Sequence, residues 1–588
     1  MLWGASIAAW CVALRRPDET APRARIPLAS QAALVVAVAG GAWLRLSDLS
    51  LFPPDMTSDH VEKILDAQRI CDGARPVFLT GNGGREPIQF YALAALHGLG
   101  LPMSFDLLKL LSGVEGLLGI AAVFFLAWEL AGAEGPLAAA AAPIAAALTA
   151  VSAWHVLVSR LGLRIVLAPL FVSLVAVFTI RALRRGARGD FLRAGLALGA
   201  GLYAYQNVRM VPVLLAAGAA CAFFMARRRV DRTRLACGFA ALALVAAAVF
   251  VPLGRFMADD PASFWSRSAG RLFGEPVISV TDPASGSVVS RVVTPSERRA
   301  DFVVNARRLG SNLAASLCMF WVAGDRSWIS GTAAGKPELD TVTGALLLLG
   351  LAVWAVRAIR ERDPAAGLVI LAIPVLVLPT ALAIAMPQEV PSATRASGAI
   401  PFALALAGLG AAYAIEAVHR MARVRRSLLI GLACAVFPAV ALRNHATYFE
   451  DAMRTYRLSA QPHAQLGAML AAFSRSAGAP GNAFMAGYPY SWDHRAIAIA
   501  AGDIGWSNGL VPPVLAALED RVRRNAGGRY ALGRRRPLLF FIDARDAASL
   551  TALEARFPGS RVRRIRSFDP TADFVVLVAP AGSYGAAP

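Results

Sequence analysis

The sequence predicts a polytopic α-helical membrane protein with a small α/β domain at its carboxy-terminal end. Three observations predict it. Of the 588 residues, 56% are hydrophobic and the mean hydropathy is +0.53, more apolar than a soluble core demands. The apolar residues fall in runs long enough to cross a bilayer, and arginines gather in short loops between them. Polar composition then resumes near Asn444 and continues to the end.

A span takes about 20 apolar residues to cross about 30 Å of hydrocarbon. Runs that qualify lie near 28–47, 107–130, 136–154, 164–182, 194–207, 210–226, 235–254, 341–358, 366–386, 397–417 and 427–443. The expectation is about 11–13 transmembrane helices, with 89–101 re-entrant or interfacial. Residues 1–14 are apolar, but Arg15 and Arg16 follow them instead of preceding them. That stretch reads as a short first span or a ragged start, not as a cleavable signal peptide.

Basic loops set orientation. If each run crosses once, Arg15, Arg16, Arg23 and Arg25 share a side with Arg181, Arg184, Arg185, Arg188 and Arg193. The same side takes Arg227, Arg228, Arg229, Arg232 and Arg234, then Arg357, Arg360 and Arg362, then Arg420, Arg423, Arg425 and Arg426. This side is assigned to the cytoplasm of a bacterial inner membrane. Loops 48–106 and 255–340, the turns at 154–163 and 387–396, and everything after 443 then lie outside. The expected division is a membrane domain over 1–443 and an extracytoplasmic domain over 444–588.

The net charge of +20 raises the question of nucleic acid. The charge is almost all arginine, with Lys63, Lys109 and Lys336 the only lysines, and it sits where topology needs it. Nucleic acid is therefore excluded as a partner; the bilayer is the partner. Six scattered cysteines with no CxxC spacing give neither a disulfide framework nor a zinc site. In the tail, 537–544 and 573–580 read as buried strands and 547–557 as an amphipathic helix, with 582–588 frayed.

The chemistry-bearing stretch is 51–91, the most polar segment of the first half. Within it SDHVEKILDAQRI at 58–70 fits a short helix with Asp59, Glu62 and Asp66 on one face. Asp59 suits a helix N-cap with Glu62 completing a capping box, and equally a general base beside the membrane. The two readings are compatible. GNGGREP at 81–87 is a turn-rich loop that delivers Arg85 and Glu86, either as a surface ion pair or as a second carboxylate for the same cleft. It is not a phosphate-binding loop, since no GK[ST] follows.

Further polar groups gather at outer span ends: His155, Ser159, Arg160 and Arg164, then Tyr203, Tyr205, Gln206, Asn207 and Arg209, then Arg395. An arginine there either snorkels to the interface or binds an anion with a fork geometry suited to phosphate. An aromatic belt accounts for the tyrosines but less well for Asn207 and Arg209.

Taken in order, these features resemble the GT-C glycosyltransferases, closest to family 39 with its protein O-mannosyltransferase and aminoarabinose-transferase relatives. The residues that carry the resemblance are the first-loop acid and GREPIQFY at 84–91, SAWHVLVSRLGLR at 152–164 and GLYAYQNVR at 201–209. GKPELDTVTGALLLLGL at 335–351 and TRASGAIPFALALAGLG at 394–410 complete it. The resemblance spans roughly 28–450. It implies a GT-C-like fold, a polyprenyl-phosphate sugar donor, and transfer to a lipid, glycan or protein acceptor on the outer face. It also implies that Asp59 matches the first-loop catalytic carboxylate. The family's usual Asp-Glu pair is Asp59-His60 here, and the acid often found after the SR motif is absent, which leaves Glu86 as the candidate second carboxylate. His60, Arg85, His155, Arg160, Tyr205, Asn207, Arg209 and Arg395 are the expected substrate-binding residues. Some relatives use a divalent metal such as Mg or Mn, and the spacing of acids here does not decide it.

The expected function is an inverting, lipid-phosphate-sugar-dependent membrane glycosyltransferase. The alternatives are a transporter or lipid flippase using the same charges, and a non-catalytic membrane scaffold of the same fold. Clustering of charge outside the membrane, with no inverted repeat of broken helices, weighs against transport.

Overall fold

The structure is a computed structural model describing residues 2–13, 25–226, 228–281, 288–327, 335–487 and 492–585. Arg15, Arg16, Arg23 and Arg227 of the basic loops, and the last three residues of the expected frayed end, lie outside the described residues. Packing divides the chain into two units. The first comprises Met1–Ser47, Arg75–Ala92 and Lys109–Ala452; the second comprises Asp48–Ala74, Leu93–Leu108 and Met453–Pro588.

Eight helices among the described residues are long and apolar enough to span a membrane: Leu28–Leu46, Phe105–Leu130, Arg164–Arg185, Gln206–Met225, Arg229–Asp259, Thr341–Glu361, Ser397–Ala422 and Arg426–Ser459. A ninth is formed if Gly135–Val151 and Ala153–Arg160, bent by 57°, make one span. This is fewer than the sequence suggests. The run near 194–207 folds as a 14-residue helix, Arg188–Gly201, and the run near 366–386 is split into Ala366–Leu376 and the single turn Leu378–Ala381. Both fall short of the about 20 residues that a straight span takes. The residues 89–101 form the 11-residue helix Ile88–Gly98, and Leu2–Ala13 is a helix of 12.

Within the first unit the helices approach through small residues, since lipid supplies no hydrophobic drive between spans. A Cβ on Gly350 would overlap the Leu406 carbonyl, and one on Gly410 would overlap that of Leu346. The Thr341–Glu361 and Ile400–Ala422 helices therefore touch backbone to backbone. The basic helix ends converge as the loop arginines predict. Arg181 meets Glu129 at 2.7 Å and Arg184 meets Asp363 at 2.6 Å, joining the ends of three spans.

The bend at Ser152 is built by polar side chains. Arg45, fully buried, donates to Thr149 O (3.1 Å) and Ala150 O (2.8 Å), satisfying carbonyls that the Gly135–Val151 helix leaves open, and to Gly41 O (3.1 Å) in its own helix. The Nη2 that donates to Thr149 O also reaches His155 Nδ1 at 2.7 Å, and Nε donates to Ser159 Oγ at 3.2 Å. The Asn444 side chain accepts the Ala153 N–H at 2.8 Å on the other side of the bend.

The second unit contains a mixed four-stranded sheet. Ala483–Ala486 runs parallel to Leu538–Asp543, which pairs antiparallel with Phe574–Ala579, which in turn pairs antiparallel with Arg561–Ile565. Side chains alternate between two apolar layers. Phe484, Leu538, Phe540, Ile542 and Leu577 face Leu518, Leu553 and Phe557, while Met485, Leu539, Phe541, Phe574 and Val576 face Leu466, Leu470 and Ile497. The two expected strands and the helix, Ala547–Arg556, fall where the pattern places them. The outer strand RVRRI is mostly exposed and arginine-rich, a sequence that discourages edge pairing.

The same unit holds the first-loop helix, Ser58–Cys71. The Tyr456 hydroxyl donates to Asp55 O at 2.6 Å, and the Asp55 carboxylate accepts the Ala464 N–H at 2.8 Å. Glu62 pairs with Arg495 at 2.5 Å, and Arg495 also grips Asp493 at 2.9 Å. The hydrogen bonds that Arg495 donates to Asp493 and Glu62 push its pKa up. The expected boundary at 443/444 falls inside the Arg426–Ala446 helix, whereas packing divides the chain after Ala452 and adds part of the first loop to the tail.

His463 is buried between these segments. Its Nε2 accepts the Asp493 N–H at 3.1 Å, so Nδ1 carries the proton toward Met56 O at 3.2 Å. Burial lowers its pKa from 6.5 to about 4, with the Met56 carbonyl and Asp493 opposing. Below 6.5 the unfolded chain takes up a proton that the folded one refuses until about pH 4. The stabilisation is full above pH 6.5 and is lost as the pH falls, by roughly 3 kcal/mol across the window. Thermal unfolding of the full chain is expected to show this slope, and His463→Gln to flatten it. Equal slopes for the two proteins would remove His463 from the pH dependence.

Candidate active site

The loop GNGGREP folds back on itself, with Leu79 and Arg85 exchanging backbone hydrogen bonds of 2.9 and 2.7 Å. Gly84 sits at φ +85°, where a Cβ would also strike the Phe78 ring, so the turn demands glycine. The turn does two things. The Asn82 carbonyl accepts from Arg267 Nη2 at 2.6 Å, and Glu86 is driven into the protein interior.

Both oxygens of Glu86 are taken by guanidinium groups: Oε2 by Arg164 Nε at 3.1 Å and Oε1 by Arg209 Nη2 at 3.0 Å. Glu86 and Arg164 are buried, so this is no surface pair. A carboxylate held this way orients its arginines. Arg209 lies over the Phe264 ring at 4.1 Å, and Arg164 over the Tyr205 ring at 5.5 Å.

Three more arginines join them. Arg395 pairs with Glu389 at 2.6 Å, and Arg271 shares that carboxylate at 2.9 Å while also reaching Glu275 at 3.4 Å. Burial lowers the pKa of Arg271; Glu389 opposes this, and Arg395 and Arg267 add to it. The charges of Arg164, Arg267, Arg395 and Glu86 all act on the Tyr205 hydroxyl. The cluster thus sets five guanidinium groups against three carboxylates. Arg164 Nη2, Arg395 Nε and Asn207 Oδ1 are buried there without a hydrogen-bond partner among the described residues. Asn207 Nδ2 donates to Ser397 Oγ at 3.2 Å, linking the 206–210 turn to the Arg395 loop. That loop is itself pinned by Asp325, which accepts the Ala393 N–H at 2.8 Å, and by Trp154, which donates to Ala393 O at 3.0 Å.

Tyr205, Asn207, Arg209, Arg395 and Glu86 therefore belong to one cluster. Arg164 belongs with them, though from the sequence it is only an arginine at a span end. Arg267 and Arg271 are absent from the sequence-based set. Their signal is the spacing of four on the Pro261–Phe273 helix, which puts both on one face.

Arg160 and His155 do not join this cluster. Arg160, buried, donates to Leu44 O (3.0 Å) and Ser47 O (2.7 Å), closing the end of the Leu28–Leu46 helix, with the Phe449 ring 5.2 Å away. His155 is held by Arg45 at the bend. Arg85 is buried with its guanidinium 5.7 Å from the Phe90 ring.

Asp59 and His60 are carried by the second unit. Asp59 is not the cap of its helix. Thr57 is, and His60 Nδ1 accepts the Thr57 N–H at 3.0 Å as the reciprocal member. The expected Asp59–Glu62 capping box is thus replaced by Thr57–His60. The acid two residues into the helix favours its positive end without closing it. The Lys63 ammonium donates to Asp59 O at 3.0 Å.

The divalent metal allowed by the resemblance needs a set of oxygen ligands. Among the described residues no group of three or more His, Cys, Asp or Glu converges as such a set, and both Glu86 oxygens are engaged by arginine.

No protein-family model and no curated protein matches the chain. Solved structures do. ArnT from Cupriavidus metallidurans in the apo state aligns with a TM-score of 0.50 at 14% identity, over 95% of this chain and 100% of that one. The same protein bound to undecaprenyl phosphate aligns at 0.49 and 14% identity, over 95% and 98%. The archaeal oligosaccharyltransferase AglB from Archaeoglobus fulgidus aligns at 0.49 and 12%, over 93% and 74%. At these identities the likeness is one of fold: the chain shares the polytopic helical membrane fold of apo ArnT, with a carboxy-terminal sheet, as the resemblance in its sequence implies.

Proposed function

We propose that the chain is an integral membrane glycosyltransferase. It takes a sugar from a polyprenyl-phosphate donor and passes it, with inversion, to a lipid, glycan or protein acceptor on the outer face of a bacterial inner membrane. The observation that supports this reading is the arginine cluster around Tyr205 and Glu86. Five guanidinium groups against three carboxylates at one end of an apolar bundle hold an excess of positive charge. Buried nitrogens of Arg164 and Arg395 have no acceptor among the described residues. A phosphate satisfies both the charge and the donors.

In this reaction the acceptor hydroxyl gives its proton to Asp59, in the role that the sequence resemblance assigns it. The hydroxyl oxygen forms a bond to the anomeric carbon of the sugar. The bond from that carbon to the phosphate oxygen breaks, and the electron pair stays on the phosphate. Arg164, Arg209 and Arg395 stabilise the charge that develops there. The leaving group is already a phosphate ester, so its departure needs little acid catalysis. Glu86 is assigned the positioning of Arg164 and Arg209.

The test is release of free polyprenyl phosphate by purified full-length protein in lipid, with a panel of radiolabelled polyprenyl-phosphate sugars. One donor is expected to turn over, and Arg395→Met to slow it roughly a hundred- to a thousandfold. Full turnover in the variant would take Arg395 out of the reaction. Lipid movement driven by an ion gradient without sugar release would favour the transporter, and donor binding without release the scaffold.

A further inference from the structure

A second basic feature lies at the other end of the first unit and has no part in the reaction above. Arg188, Arg229 and Arg234, with Phe191, Val230, Thr233 and the glycines at 186 and 238, line a cavity of about 400 Å³. It is formed where the Arg188–Gly201 and Arg229–Asp259 helices begin, beside the end of the Leu167–Arg185 helix. A Cβ on Gly186 would press on Arg234, and one on Gly238 would overlap Phe191, so glycine at both positions keeps the cavity's shape.

The lining is charged on one side only. Three arginines face it and no carboxylate does. The nearby Asp190 is turned to Arg193 at 2.7 Å, and neither Arg229 nor Arg234 makes an ion pair among the described residues. Phe191, Val230 and Cys237 give the cavity an apolar wall. The position is the arginine-rich end of the spans, where Arg181 and Arg184 also lie. Basic pockets between spans on the cytoplasmic side suit the phosphate of an anionic lipid, with the apolar wall meeting the start of its chains. We propose that this cavity seats the headgroup of an anionic phospholipid from the leaflet at the basic end of the bundle.

Cys237, an exposed free thiol in the lining, provides the readout. Full-length protein in a neutral detergent is titrated with phosphatidylglycerol, phosphatidylcholine or inorganic phosphate. Maleimide labelling of Cys237 and, as a control, of Cys434 is followed by peptide mass spectrometry. Phosphatidylglycerol is expected to protect Cys237 and not Cys434, with phosphatidylcholine and inorganic phosphate protecting neither. The Arg229→Gln/Arg234→Gln double variant is expected to need about thirtyfold more phosphatidylglycerol for the same protection. In the wild type, protection should weaken as salt rises from about 50 to about 500 mM. Equal protection by phosphatidylcholine would overturn the proposal, as would protection unchanged in the double variant. Protection by inorganic phosphate alone would make this a soluble-anion site and overturn the lipid. Should the double variant fail to fold, salt-independent protection of the wild type would overturn it as well.

Discussion

Asp59→Asn is expected to cut release of polyprenyl phosphate by roughly a hundred- to ten-thousandfold, the range over which a positioned general base acts. The fold is expected to survive. The Ser58–Cys71 helix is capped by Thr57 and His60, and its unit is tied together through Asp55, Glu62 and His463. The helix-dipole part of losing the Asp59 charge is about 0.3–1 kcal/mol. The measurement is donor turnover beside the unfolding temperature of each protein. Unfolding at the wild-type temperature with turnover lost would assign Asp59 to the chemistry. Turnover that persists would remove it and direct attention to Glu86.

Glu86→Ala is expected to be the most destabilising single change at the cluster, by roughly 3–5 kcal/mol, because it leaves the guanidinium groups of Arg164 and Arg209 buried without their counter-charge. Adding Arg164→Gln should return part of that stability, since the second change removes one of the stranded charges. Unfolding of the single and double variants in detergent checks it. Glu86→Gln separates positioning from proton removal. If Glu86 only orients arginines, the glutamine variant loses stability and turnover together. Wild-type stability with turnover abolished would make Glu86 the base.

The membrane class, the approximate run of spans, the basic end and three elements of the tail are determined by local sequence. Hydropathy over about 20 residues, charge bias in short loops and two-residue alternation are properties of neighbours along the chain. The same kind of signal singles out Glu86, Tyr205, Asn207, Arg209 and Arg395 as polar groups at apolar helix ends. Tertiary structure alone decides what each of them meets. Arg160 and Arg164 stand four residues apart and look equivalent as arginines at a span end. One closes a helix through Leu44 and Ser47, and the other pairs with Glu86, 78 residues away. Glu62 reads as half of a local capping box until packing gives it Arg495, 433 residues on. A guanidinium that snorkels, caps or binds an anion carries the same charge and the same flanking apolar residues. Its role is set by which carbonyls and carboxylates the packed helices bring within hydrogen-bond reach, and that distance exists only in the folded chain.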